Sequence, residues 1–287
     1  MRYLFGDTTL AAQRLRLLSD TFSKSSKAFL QWAHIEALDL AVDLGCGPGH
    51  CTHLLAACLP ARRVIGLDNS ERFIALGRQT GGGRVSFVLH DVTEIPFPCG
   101  TCDLLYCRFL LPHMPDPQAV LAKWATQLRP QGLLLVEDAE AIDTDNPVFE
   151  RYMAIVEAML ASRSQILYMG KELNNIEVNS LRRARSRATE VHIDAANAAS
   201  LFHMNLQQWR HDPFVARTCT TSSIDRLDSE LKALTEPRSD RDVVHWTLRQ
   251  IIFEKFNRDP TGSASRSNVL AAEARTVQRT NRIGATQ

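Results

Sequence analysis

The sequence predicts an α/β fold, a largely parallel sheet wound with helices on both faces. Three observations predict it. Short apolar runs alternate with helical stretches of about ten residues through the first half of the chain. A glycine-rich turn joins the first apolar run to the first of those helices. After Asp138 the texture shifts to longer amphipathic stretches, which read as the rest of the sheet beneath a helical layer.

Each element has its own signal. Leu38 to Leu44 (LDLAVDL) is an apolar run closed by glycines, the pattern of a strand buried on both faces. Pro48 to Leu59 follows as a helix with proline in its first turn. Arg63 to Leu67 is a second strand, and Ser70 caps a helix reaching about Gln79. Val85 to Leu89 and Asp103 to Cys107 are the third and fourth strands, and Leu133 to Glu137 is the fifth, after a helix over Gln118 to Leu128. Beyond them, Phe149 to Ile166, Ser180 to Ala184, Ala195 to Trp209 and Ile224 to Leu234 read as amphipathic helices. Thr189 to Ile193 and Val243 to Phe253 read as late strands. The expected organisation is one domain over 1–256: an N-terminal helical cover (1–36), a core (37–140), and the remaining sheet with its cover (141–256). The Arg-, Ser-, Thr- and Asn-rich tail at 257–287 is expected to be disordered.

Composition narrows the function. The 287 residues suffice for a large core, with about 12,000 Å² exposed when folded against about 46,000 Å² extended. Lys and Arg total 33 against 32 Asp and Glu, so no net field draws nucleic acid or anionic lipid. No apolar run is long enough to span a membrane, and the N-terminus lacks a signal-peptide core, which with scattered cysteines suggests a cytoplasmic protein. The seven cysteines read as reduced thiols. Cys99-x-x-Cys102, with Cys107 nearby, lacks a second ligand pair at zinc spacing, and no metal is expected.

The chemistry starts at Asp43-Leu44-Gly45-Cys46-Gly47-Pro48-Gly49. Glycines there let the backbone turn sharply and approach a ligand. Asp68, just past the second strand with Asn69 beside it, stands where a doubly wound nucleotide fold places a ribose-binding carboxylate. Asp91 and Val92, past the third strand, can meet an adenine amine and ring nitrogen. The third glycine comes one position too early for a dinucleotide fingerprint, no Gly-Lys-Ser/Thr follows, and Asp43 disfavours a pyrophosphate. Charge therefore favours a cationic adenosine derivative.

This set, with Leu128-Arg129-Pro130-Gln131-Gly132 before a strand, resembles the ordered motifs of class I S-adenosylmethionine-dependent methyltransferases of the small-molecule type. The resemblance implies a Rossmann-like seven-stranded sheet in the order 3-2-1-4-5-7-6, its last strand antiparallel. It implies S-adenosyl-L-methionine as cofactor, held by Asp43, Gly45, Cys46, Gly47, Gly49, Asp68, Asn69, Asp91 and Val92, with Cys107 near the sulfonium. Tyr3 and Arg14 lie on a segment that often folds over the cofactor in similar enzymes, and Arg14 can pair with the methionine carboxylate. Gln131 stands where the family commonly has glycine.

Methyl transfer from a sulfonium is an in-line displacement with a neutral leaving group, so catalysis is chiefly alignment, with a base where the acceptor carries a proton. His113, after the fourth strand, has the titration range of a base, and Asp138, ending the fifth, can orient or assist it. Met153, Met159, Met169, Phe202, Met204 and Trp209 form an apolar set, core for the most part, from which an acceptor pocket can draw. Arg182-Arg183-Ala184-Arg185-Ser186-Arg187 reads as a solvated helix face. The expected partner is a small organic acceptor with an oxygen, nitrogen or carbon nucleophile, and the chain is expected to be a monomer or homodimer. RNA or protein methylation, and cofactor binding without turnover, stay open as alternatives. Balanced charge and the absence of an Asn-Pro-Pro-Tyr-like tetrapeptide weigh against nucleic acid.

Overall fold

A computed structural model describes residues 6–236 and 243–256. The expectations for Tyr3 and for the tail from 257 onward lie outside the described residues. Seven strands form one sheet: β1 (Leu38–Leu44), β2 (Ala61–Asp68), β3 (Val85–Leu89), β4 (Cys102–Arg108), β5 (Leu128–Asp143), β6 (Leu181–Asp194) and β7 (Val243–Lys255). Their order is β3-β2-β1-β4-β5-β7-β6, with β7 antiparallel to both neighbours, as the sequence predicts. The helices are α1 (Thr9–Trp32), α2 (His50–Cys58), α3 (Glu71–Thr80), α4 (Pro117–Gln127), α5 (Pro147–Ala161), α6 (Met169–Leu173), α7 (Ala195–Trp209), α8 (Pro213–Thr218) and α9 (Thr221–Leu234).

The first half follows its local signals. Ser70 accepts from the Phe73 N–H at 3.1 Å to start α3, and Asp116 does the same for α4 through Ala119. One face of the sheet packs Leu40, Val42, Leu105 and Val136 against Trp124 and Leu121 of α4. The other packs Ala41, Leu104, Tyr106 and Leu135 against Phe29 and Leu30 of α1 and Leu55 of α2. A third cluster joins α5, α7 and α9 to the upper reaches of β5 and β7.

Three predicted boundaries move. β5 runs far past Glu137, because β7 pairs with it from Leu133↔Glu254 to Asp143↔His245 and supplies partners that the local sequence does not reveal. Glu140 is held there by the Arg249 guanidinium at 2.5 and 2.8 Å. The helix after the glycine turn begins at His50, since Gly49 stands at φ 98°. The helices expected at Ser180 to Ala184 and along the arginine run are instead the first half of β6, an edge strand. Arginines there alternate between solvent and neighbours: Arg182 pairs with Glu254, while the Arg185 and Arg187 guanidinium carbons sit 5.4 and 4.4 Å from the centre of the Trp32 ring. Uniform charge hid a period of two.

Candidate active site

The carboxyl ends of β1, β2, β4 and β5 open into a cavity of about 880 Å³, roofed by the start of α1 and by α5 and α7. Its volume suits a small-molecule site. The outer half is built on the glycine turn. Gly45 and Gly47 stand at φ 65° and 53°, and a Cβ on Gly45 would lie 2.8 Å from Leu110, so only glycine fits that bend.

Asp68 is locked in place by the Gly47 and Ser70 N–H groups, which donate to its two oxygens at 2.8 Å each. Burial raises its carboxyl above the usual range. Asp91 accepts from the Thr93 N–H and hydroxyl at 2.9 and 2.7 Å through a single oxygen. Val92 is fixed by its carbonyl, which accepts from the Trp124 indole at 2.8 Å. Gly6, Asp7 and Thr8 close the rim, where Asp7 accepts from the Ser70 hydroxyl at 2.9 Å.

Of the residues singled out in the sequence, Arg14, Gly45, Cys46, Gly47, Asp68, Asn69, Asp91, Val92, His113 and Asp138 all line this cavity. Asp43, Gly49 and Cys107 are not brought to it. Asp43 is buried beneath the turn, accepts the Thr52 hydroxyl at 2.7 Å, and is pushed up to about 7 by burial. Gly49 packs on Phe87, whose ring a Cβ would approach to 2.5 Å. Cys107 is fully buried, and burial raises its thiol far above the usual range. Asp43, read in the sequence as a cofactor-binding carboxylate, and Cys107, read as lying near the sulfonium, thus lie outside the lining of this cavity.

The inner half mixes aromatic and polar groups from distant segments. Phe109, Tyr152, Met153, Val156, Phe202 and Trp246 line it together with Asp138. Met159, Met169 and Trp209 are core, as most of that apolar set was expected to be. Burial, and next the Arg14 guanidinium, push the His113 imidazole down to about 3, so the ring is neutral and weakly basic across the physiological range. Asp138 does not orient it: neither Asp138 oxygen has a hydrogen-bond partner among the described residues. Burial, with Glu137 adjoining, raises the Asp138 carboxyl well above normal.

Glu137 points to the other face, where Ser25, Ser26, Tyr106 and Gln250 donate to it at 3.3, 2.6, 3.0 and 2.5 Å. Arg108 joins this network by donating to the Ser26 hydroxyl at 2.9 Å, and it also lines the cavity. Sequence reasoning missed Arg163, Gln165 and Asn205 as well as Arg108 and Trp246. Arg108 ends β4, and the other four sit in no motif and reach the cavity only through tertiary packing of α5 and the loop after it, α7 and β7 on the sheet. Among the described residues no group of three or more His, Cys, Asp or Glu side chains could hold a metal, and no helix is long and apolar enough to cross a membrane.

Residues 41–132 match a family described as methyltransferase domain. The trans-aconitate 2-methyltransferase of Methylobacterium radiotolerans is 36% identical over 118 residues, covering 41% of this chain and 45% of that protein. Its counterpart in Methylobacterium nodulans is 31% identical over 163 residues, 54% of this chain and 62% of that one. The chain thus spans about half the length of the curated relatives it matches. In fold it is similar to the putative methyltransferase solved with the Haloferax volcanii Trm112 activator, with TM-score 0.58, 16% identity, and coverage of 90% of this chain and all of that one.

Proposed function

We propose, on the premise that this chain carries a class I S-adenosylmethionine-dependent methyltransferase domain, that it methylates a small organic molecule held in the inner half of the cavity. S-adenosylmethionine is the cofactor. The outer half fits it: two positive-φ glycines clear a Cβ-free wall, and Asp68 is fixed by two backbone N–H groups with lone pairs left for ribose hydroxyls. Asp91 and Val92 would take the adenine edge, with Asn69 beside the ribose, and Arg14 would face the carboxylate of the methionine end. When bound, the cofactor supplies an electrophilic methyl on sulfur.

The chain's own residues provide position, dryness and proton handling. Phe109, Tyr152, Phe202 and Trp246 exclude water from the inner chamber and press the acceptor towards the outer half. His113, neutral and tied down when the Gln165 amide donates to its backbone carbonyl at 2.7 Å, acts as a wall and not as the base. Asp138 is the acidic group that meets the acceptor.

One observation carries the small-molecule reading: side chains of α5 and α7 close with the sheet on a concave cavity of about 880 Å³, a size that suits a small molecule beside the cofactor. The free thiols fit a reducing compartment. The relatives named for trans-aconitate match mainly through the cofactor half, so that acid is one acceptor to assay and not an assignment.

The test is calorimetry with S-adenosylhomocysteine. Asp68→Ala should weaken binding by about a hundredfold, since two hydrogen bonds to a buried charged group are lost, with an unchanged circular dichroism spectrum. Equal affinity in variant and wild type would refute the ribose assignment. Tritiated-methyl transfer into small acids and amines, and none into bulk RNA or protein, would separate the acceptor classes.

A further inference from the structure

We infer that the inner chamber is built for an amine: the methyl acceptor is a small molecule with a protonatable nitrogen beside an aromatic or apolar body, seated on Asp138. The inference rests on the methyltransferase reading above and goes further by naming the nucleophile.

The buried polar atoms of the chamber set the chemistry of its ligand. Both Asp138 oxygens, Gln165 Oε1 and Asn205 Oδ1 are buried without a hydrogen-bond partner among the described residues, and all three residues line the cavity. The two amide oxygens are acceptors, and so are both Asp138 oxygens when that carboxyl is ionised. Gln165 is fixed in that orientation because its Nε2 donates to the His113 carbonyl. The Asn205 side chain in turn is held against the Tyr152 hydroxyl. Against them stand two cavity-lining donors in the same condition, Arg163 Nη1 and Trp246 Nε1. Buried acceptors without partners are costly, by about 1–3 kcal/mol each, so the ligand that stabilises this chamber brings donors. An ammonium brings three. A carboxylate brings none and would face Asp138 as a like charge wherever that carboxyl is ionised; a phenol or alcohol brings one.

Charge and shape agree. Tyr152 and Phe202 stack at 4.4 Å, and Phe202 lies 6.3 Å from Trp246, so a group of aromatic rings lines the same cavity as Asp138, and such rings favour a cation over their faces. The charge acting on Asp138 is that of Glu137, a second negative group. Arg163 is offset by its ion pair with Asp212, and Arg14 acts on His113 and Tyr152.

The step balances. Asp138 takes one proton from the bound ammonium, leaving a neutral amine and a carboxylic acid. The freed nitrogen lone pair forms the N–C bond as the methyl–sulfur bond breaks, and that bond's electron pair stays on sulfur, which leaves as a neutral thioether. The nitrogen is again positive and returns to its ion pair when a proton passes on. A carboxyl group whose proton affinity is raised by burial makes the neutral pair accessible, which is the form with the free lone pair.

The experiment is calorimetry on the protein loaded with S-adenosylhomocysteine, titrated with phenethylamine, tyramine and tryptamine and, for comparison, phenethyl alcohol and phenylacetate. Amines should bind about tenfold or more tighter than the alcohol and the acid, and Asp138→Asn should weaken the amines by about tenfold while leaving S-adenosylhomocysteine affinity unchanged. If Asp138→Asn does not fold, Asn205→Leu should weaken the amines by about threefold or more. Preference for phenylacetate or the alcohol, no binding of any amine, or amine affinity indifferent to these changes would overturn the inference. Mass spectrometry with S-adenosylmethionine separates the two readings. O-methylated product alone sinks the amine and spares methyl transfer; amine binding that depends on Asp138, without any methylated product, supports the amine site and sinks methyl transfer.

Discussion

Gly49 belongs to the glycine motif yet lies outside the lining of the cavity. It stands at φ 98° with its missing Cβ aimed 2.5 Å from the Phe87 ring, away from the cavity. Gly49→Ala adds a left-handed strain of about 1–2 kcal/mol and a clash of similar size. Urea denaturation should therefore show a loss of about 2–4 kcal/mol, with S-adenosylhomocysteine affinity of the folded fraction nearly kept. A stable variant with abolished affinity would mean the glycine contacts the ligand after all. Asp43 makes the same point: its motif position is legible in the sequence, but its partner, the Thr52 hydroxyl, is not, because that contact depends on how α2 leaves the turn.

Among the elements, β5 is the one on which both halves of the molecule depend. Consecutive residues on a strand point to opposite faces. Glu137 therefore ties β5 to α1 through Ser25 and Ser26, to β4 through Tyr106 and to β7 through Gln250, while Asp138 turns to the cavity. Removing the Glu137 carboxylate leaves four buried donors facing one another. Glu137→Ala is expected to destabilise by about 3–5 kcal/mol, with hydrogen exchange rising in β7 and α1 before α3. Uniform exchange across the sheet would show that the network is not a local tie. The sequence made the apolar middle of β5, Leu133 to Glu137, visible and both its ends invisible: the strand runs from Leu128 to Asp143, and pairing with β7 carries it on past the apolar run. The outer half of the cavity was readable because the glycine turn, Asp68 and Asp91 are each set by a strand end close to them in sequence. The inner half was readable only at His113 and Asp138, since Gln165, Asn205 and Trp246 converge on it from the loop after α5, α7 and β7. The arginine run misled because long aliphatic stems let an edge strand carry charge on both sides.

At the scale of the whole molecule, several buried carboxyl groups under one ligand site make stability depend on pH. Asp43 rises from its ordinary 3.8 to about 7 on folding. Its carboxyl binds a proton more tightly in the folded state, so its contribution is full below about pH 4 and is lost as pH rises through about 7. Asp68 and Asp138 are shifted in the same direction. His113 runs the other way. The unfolded imidazole takes a proton below 6.5 that the folded ring refuses until about 3, so this term makes stability rise with pH across that range. Asp103 and Asp91, held below the ordinary carboxylate range, act only at more acid pH. Opposing terms overlap between pH 4 and 7, so the wild-type curve alone cannot separate them. The informative quantity is a difference. Asp43→Asn keeps an acceptor for the Thr52 hydroxyl and removes one titration. Its stability relative to wild type should climb from pH 4 to about 7 and then level off, by an amount on the order of a few kcal/mol, in urea melts at closely spaced pH. A difference that stays flat over that interval would place the Asp43 carboxylate in contact with water, and with it would go the account of this residue as a buried prop beneath the glycine turn.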